Sequence, residues 1–328
     1  DLSSLFRNYI VLFSNVYRPP IPEGLTVLSV LRVSGKLVCF PSCITGPGAA
    51  KMKLAVYESI VQKLQTLSRL NRHDELKSTF PDIPEITLRS IVTFEVQRKT
   101  KRSYHRHSTP PSLAKHHQHY LECVRQNAPP GILVRYADDL GVSPALLARL
   151  VVIKHYETDE GPPQKQMVSQ MMKDTTTIED GRLSVEVFLC IVADDEYGPL
   201  ADALRHNIGL EHEVYLKEQL GALGVAFVDE EVLRERGYDK TPDVKLEVPV
   251  VVDGTVVNWI ESKALFGDPE SHKGYMRDQY QSYWNRFGRG LVIYWYGYVD
   301  ELATGDVVLL RDRMPTDVVQ MAAVCGFT

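Results

Sequence analysis

A chain of 328 residues that is 44% hydrophobic and 24% charged has the make-up of an ordinary globular protein of two or three domains, which excludes a collagen-like, disordered or disulfide-framework chain. No run reaches the roughly 18 uninterrupted apolar residues of a membrane span, so no membrane partner is expected. The net charge of −5 conceals a split: residues 97–125 carry seven Lys/Arg against one acidic residue, and residues 194–263 carry seven against sixteen.

Such a split suits a protein that meets a polyanion with one part and holds cations with another; it equally suits two solvated faces of opposite sign. In chain order, residues 1–51 stand apart. They carry Pro19, Pro20, Pro22 and Gly46-Pro47-Gly48, and their apolar stretch, residues 25–40, is broken by Arg32 and Lys36. It fits neither a spanning helix nor a signal peptide, and the segment is expected to be a poorly organised extension. Cys39 and Cys43 lack the second pair of ligands that a zinc site needs. Five scattered cysteines, an odd number, point to a reducing compartment.

From Met52 to about residue 158 the period is helical. Leu54, Tyr57, Ile60, Val61, Leu64 and Leu67 recur at three- and four-residue spacing. Asp82 before Pro84, and Ser143 directly before Pro144, read as helix starts, because a first-turn proline lacks only an N–H that had no partner there. Tyr136 to Leu140, Gly141 and then Pro144 to Arg149 make a helix, a glycine turn and a second helix. Pro84, Arg89 and Val92 recur as Pro144, Arg149 and Val152 at an offset of sixty, so two helix-turn-helix-like units are expected. In the candidate recognition helix only Arg149 is a base-reading type, which disfavours sequence readout. Arg98, Lys99, Lys101, Arg102 and Arg106 offer phosphate contacts without sequence information, or equally a solvated helix end or an import patch. His116, His117 and His119 are expected on a solvated face. Gly161-Pro162-Pro163 marks a boundary, and a helical linker is expected over 159–206.

The final segment, 207–328, mixes strand and helix. A helix is expected to open at Gly209–Glu213, carry Leu216, Leu220 and Leu223 on one stripe and end at Gly224. Thr241-Pro242-Asp243 leads into Val244, Leu246, Val248, Val250 and Val252 in alternation; Asp253-Gly254 turns the chain, and Thr255 to Lys263 returns, a hairpin. A two-residue loop alone would turn Asp243 away from Glu261 and Lys263. A three-residue loop, or a bulge of the same parity, puts all three on one face, with Val244, Leu246, Val248 and Val250 facing Val256 and Ile260 on the other. Two carboxylates and an ammonium at one sheet edge suit phosphodiester cleavage: hard oxygens hold Mg²⁺ or Mn²⁺, and the amine steadies developing negative charge.

Pro242-Asp243 and Glu261-Ser262-Lys263 resemble the signature of PD-(D/E)xK nucleases, and Gly209, Glu213, Leu216, Leu220 and Gly224 resemble their first core helix. Gln279 and Tyr283 match a Q-x-x-x-Y pattern on the following helix. More narrowly, the strings around Tyr238–Asp243, Trp259–Lys263, Tyr283–Gly288 and Leu291–Gly297 resemble the codanin-interacting nucleases of animals, over Met52 to the C-terminus. The resemblance implies an α/β multi-domain protein: an all-α helix-turn-helix region and a restriction-endonuclease-like core, a mixed sheet flanked by helices. It implies metal-dependent hydrolysis of DNA, directed by structure rather than sequence, and kinship to Holliday junction resolvases. Asp243, Glu261 and the Ser262 carbonyl would hold Mg²⁺ or Mn²⁺, with Glu213 an added acid; Lys263 would position water, and Gln279 and Tyr283 would support the lysine or the phosphate. Codanin is the implied partner, and the nucleus, with the cytoplasm second, the implied location. A homodimer stays open, as junction resolvases often pair. The rival readings are a catalytically weak adaptor and a helix-turn-helix regulator.

Overall fold

The structure is a computed structural model, and it describes residues 51–320 together with the backbone of two short antiparallel strands, β1 (Val30–Val33) and β2 (Lys36–Cys39). The remaining expectations for residues 1–50, including the side chains of Cys39 and Cys43, lie outside the described residues. The chain forms an α/β protein of two compact units: Asp1–Cys43 with Val96–Ala203, and Ile44–Glu95 with Leu204–Thr328.

The second unit opens with α1 (Leu54–Leu64), which buries Tyr57 and Ile60 as its spacing predicts, and α2 (Arg72–Thr79). The helix α3 (Glu85–His107) follows Pro84 and contributes its first half here; its second half belongs to the other unit.

The first unit is helical: α4 (Pro110–Arg125), α5 (Ile132–Leu140), α6 (Pro144–His155), α7 (Lys165–Lys173) and α8 (Gly181–Val192). Its starts are chemically marked. Thr109 accepts from the N–H of Ser112 ahead of Pro110, and Ser143 accepts from that of Leu146 ahead of Pro144. Gly141, at φ 64°, makes the expected turn between α5 and α6. Two buried carboxylates complete these caps: Glu186 accepts from the N–H groups of Gly131 and Leu133, and Asp194 from the Ser143 hydroxyl and the Ala145 N–H. Ala145, Ala148, Val151 and Val152 of α6 lie in the unit's core with Tyr120, Leu133, Leu183 and Val187. Most of α6 is spent on that core, and Arg149, Ile153, Lys154 and His155 are its half-buried residues. The histidines depart from the expected solvated face: His116 is buried against the Tyr136 hydroxyl at 3.2 Å, and His117 meets His155 at 3.2 Å.

The rest of the second unit begins in α9 (Pro199–Ala222), which starts ten residues ahead of the expected Gly209, because Gly198 at φ 105° and Pro199 break the chain there. Gly209 lies inside it; Leu216 and Leu220 are buried, whereas Leu223 is exposed. Then come β3 (Phe227–Asp229), α10 (Glu230–Glu235), β4 (Val244–Val252), β5 (Thr255–Lys263), α11 (Pro269–Tyr275), a π turn (Met276–Tyr280), α12 (Gln281–Phe287), β6 (Gly290–Tyr294), β7 (Val308–Arg311) and β8 (Val319–Gln320). The sheet order is β3-β4-β5-β6-β7, with β8 also on β4; β5-β6 and β6-β7 are parallel and the other pairs antiparallel. One face buries Leu216, Leu220, Val244, Leu246, Ile260 and Leu291, and the other Trp259, Tyr280, Tyr283, Val292 and Tyr294.

The early helices are tied to this sheet. Met52 donates to the Tyr298 carbonyl and accepts from the Asp300 N–H, the Thr87 hydroxyl donates to the Tyr296 carbonyl, and Phe266 N–H donates to the Ser90 hydroxyl. Among the described residues no helix is long and apolar enough to cross a membrane.

Candidate active site

Register decides what meets what. The hairpin closes through two residues, with Val252 opposite Thr255 and both Asp253 (φ 47°) and Gly254 (φ 70°) left-handed, so the three-residue loop is corrected. The alternative, a bulge that restores parity, is what the chain does. Between the pairs Val250–Val257 and Lys245–Trp259, β4 carries four residues against one on β5. Pro249 lies in that stretch, and without an N–H it cannot continue a ladder. Three extra residues reverse the parity, and Val244 pairs with Ile260, which puts Asp243 beside Glu261 rather than opposite Lys263. The slip leaves Val248 exposed, and the two-residue turn leaves Val256 exposed, instead of in the apolar row.

At this edge the side chains interlock. The Asp243 N–H donates to Glu261 Oε2 at 3.4 Å, and the Ser262 N–H donates to Asp243 Oδ2 at 2.7 Å. The Lys263 ammonium donates to Glu261 Oε1 at 2.6 Å and to Gln279 Oε1 at 3.2 Å, and lies 4.9 Å from the Tyr275 ring centre. Tyr283 reaches the same loop from α12: its hydroxyl donates to the Thr241 carbonyl at 2.7 Å, two residues ahead of Asp243. From behind, the Trp295 indole donates to the Ser262 hydroxyl at 2.8 Å and its backbone N–H to the Lys263 carbonyl at 3.0 Å.

The site holds more acid than it neutralises. Burial, and then the Glu261 charge, push the Asp243 carboxyl up to about 8; burial also raises Glu261, with Lys263 opposing. Burial works against the Lys263 ammonium, but Glu261 and Asp243 together hold it above the usual lysine range. Glu213 is raised by burial and then by the Asp243 charge, which places it in the same electrostatic neighbourhood. Asp243 and Glu261 offer hard carboxylate oxygens, the donor type that divalent cations take, so these residues are of the expected chemistry.

Of the expected residues, Asp243, Glu261, Lys263 and Gln279 converge directly, Tyr283 through Thr241, and Glu213 through charge. Arg98, Lys99, Lys101, Arg102 and Arg106 lie on the half of α3 that belongs to the other unit, where Lys99, Lys101, Arg102 and Arg106 are exposed. Arg149 is half-buried and donates to the Ser169 hydroxyl at 3.2 Å. Two residues that sequence reasoning missed also belong to the site. Glu230 accepts from the Thr241 hydroxyl at 3.2 Å and its charge is felt at Asp243; Trp295 clamps Ser262 and Lys263. The signal for Glu230 was a run of three acids at a helix start, where Asp229 caps the Val232 N–H.

Comparison with known proteins adds the following. The sequence family described as "Protein of unknown function TPD sequence-motif" matches residues 179–314, a range that contains Thr241-Pro242-Asp243. The chain is similar to "CDAN1-interacting nuclease 1" of Bos taurus, 43% identical over 271 residues, which are 81% of this chain and 96% of that protein. It is similar to the proteins of the same name from Homo sapiens, 42% identical over 81% of this chain and 96% of that one, and Xenopus laevis, 43% over 85% and 93%. No solved structure matches it.

Proposed function

The chain belongs to the CDAN1-interacting nuclease 1 family, and from that premise we propose that it hydrolyses DNA phosphodiester bonds with a divalent metal, Mg²⁺ or Mn²⁺. The observation that carries the reading is the convergence of Asp243, Glu261 and Lys263 at one end of β4 and β5, although seventeen residues lie between Asp243 and Glu261. Asp243 and Glu261 would hold the cation, with Glu213 and the Ser262 carbonyl as the further donors the reading assigns. When bound, the cation supplies Lewis acidity to the phosphodiester.

The protein's own groups do the rest. Lys263 is held within reach of the attacking water by Glu261 and Gln279, and its positive charge offsets the charge that develops on the phosphate. The Ser262 N–H fixes one Asp243 oxygen, and Tyr283 fixes the loop that carries Asp243, so the acids are set before substrate arrives. Recognition is of DNA structure and backbone rather than sequence. The burial of Ala145, Ala148, Val151 and Val152 weighs against readout by α6. The family name supplies the proposed protein partner, codanin, tested by co-elution of the two purified proteins.

The decisive experiment incubates wild-type and Asp243→Asn protein with labelled linear and branched DNAs in Mg²⁺, Mn²⁺ or EDTA. Wild type cleaves only with metal, and Asp243→Asn falls by at least about a thousandfold. Equal cleavage by the two proteins would remove Asp243 from the chemistry, and no cleavage by either would transfer the reading to the adaptor.

A further inference from the structure

Beside the acidic edge stand aromatic groups that phosphodiester chemistry does not use. Tyr238 and Trp284 are 38% and 36% exposed. The Tyr238 ring packs on Phe287 with centroids 5.6 Å apart, and the Arg286 guanidinium lies 5.9 Å from its centre. Arg286 is itself pinned, by Asp239 at 2.5 Å and by the Lys240 carbonyl at 3.0 Å. Trp284 precedes Phe287 by three positions on α12, and residues so spaced share a helix side at about 5–6 Å between Cβ atoms. Trp284 also directly follows Tyr283, whose hydroxyl holds the loop to Asp243. Five residues link Tyr238 to Asp243, at most about 18 Å of extended chain. The two rings are therefore within a few nucleotides of the acids.

Both rings are partly exposed, Tyr238 with the Arg286 guanidinium over its ring and Phe287 against it, and Trp284 on the solvent side of α12. Exposed Arg236 and Lys240 flank Tyr238, and Arg286 lies against it, set against Glu235 and Asp239. Rings beside guanidinium and ammonium groups take a nucleobase and its phosphate together, because every base has a π face and every phosphate a charge. In a duplex those base faces are already stacked and closed to a side chain.

Resting on the nuclease reading above, we propose that Tyr238 and Trp284 form a stacking platform for unpaired bases, which makes single-stranded stretches of DNA (flaps, gaps, frayed ends) the substrate class of this site. The duplex backbone reaches the acids only where the strand leaves its partner.

The test uses the full chain in EDTA, so that binding is read without cleavage. The probes are an oligo-dT of about 15 nucleotides and a duplex of equal length at one fixed salt concentration. Oligo-dT is expected to quench tryptophan emission through Trp284, since Trp259 is fully buried and the Trp295 indole is bonded to Ser262. The quenching disappears in Trp284→Phe, whose ring retains affinity. Tyr238→Ala with Trp284→Ala weakens oligo-dT binding about tenfold or more, and duplex binding by less than about threefold. Absent quenching in the wild type, equal losses for both DNAs, or quenching by purified codanin but not by oligo-dT would each overturn the platform. If the double variant misfolds, the Trp284→Phe quenching decides. Failure of the nuclease reading looks different: no DNA is cut in Mg²⁺ or Mn²⁺, whichever DNA is bound.

Discussion

Asp243 and Glu261 are two buried acids served by one ammonium, an arrangement that suits cation binding and costs stability without the cation. In EDTA, Asp243→Asn should therefore unfold later than wild type, by about 1–2 kcal/mol in chemical denaturation, and added Mg²⁺ or Mn²⁺ should stabilise only the wild type. A lower midpoint for Asp243→Asn in EDTA would mean that the carboxylate is satisfied within the protein. A second residue predicts a pH effect in the helical unit. Burial, then nearby His107, Lys115 and His119, lower the His116 imidazole to about 4. The folded form keeps it neutral where the unfolded chain would take up a proton, so stability is full above about 6.5 and falls as pH drops toward 4. Denaturation at pH 7.5 and at pH 5 should differ by up to about 2 kcal/mol, and His116→Gln should shrink the difference. At this scale the sequence was informative about type and silent about company. Asp243, Glu261 and Lys263 stood out because acids and an amine at strand ends are chemically purposeful. Glu230 did not, since a helix start accounts for its neighbours equally well, and His116 looked solvated because nothing in a run of histidines says which one faces inward.

Between residues and whole chain, β4 shows how a strand can be legible in outline and wrong in register. The valine alternation and Asp253-Gly254 announced the hairpin, but parity turned on Pro249, whose missing N–H permits the slip. Deleting Val248 removes one of the three extra residues and reverses parity again. The variant should keep its far-ultraviolet circular dichroism yet lose cleavage and the thermal shift with Mg²⁺; retained cleavage would show that the register does not place Asp243. Packing across the sheet is as exacting. A Cβ on Gly290 would fall 2.1 Å from the Trp259 ring, so Gly290→Ala should cost about 3 kcal/mol, read as a lower denaturation midpoint. Nothing in the local pattern marked Gly290, because its constraint comes from a strand 31 residues earlier.

Over the whole molecule, periodicity showed that residues 52–95 are helical but not which unit they serve, because an apolar stripe names no partner. Those residues belong with the sheet. A fragment of residues 207–328 should therefore fail to fold alone, and a chain joining 52–95 to it through a linker should recover a cooperative melt; a folded short fragment would make the helices dispensable. The bonds between Met52 and the strip at Tyr298 and Asp300 have a further meaning for how a cell makes this protein. On the ribosome, the segment around α1 emerges roughly 250 residues before the backbone that completes it. Until then the stripe lacks the backbone that completes it, and a chain ending before Tyr298 never acquires it.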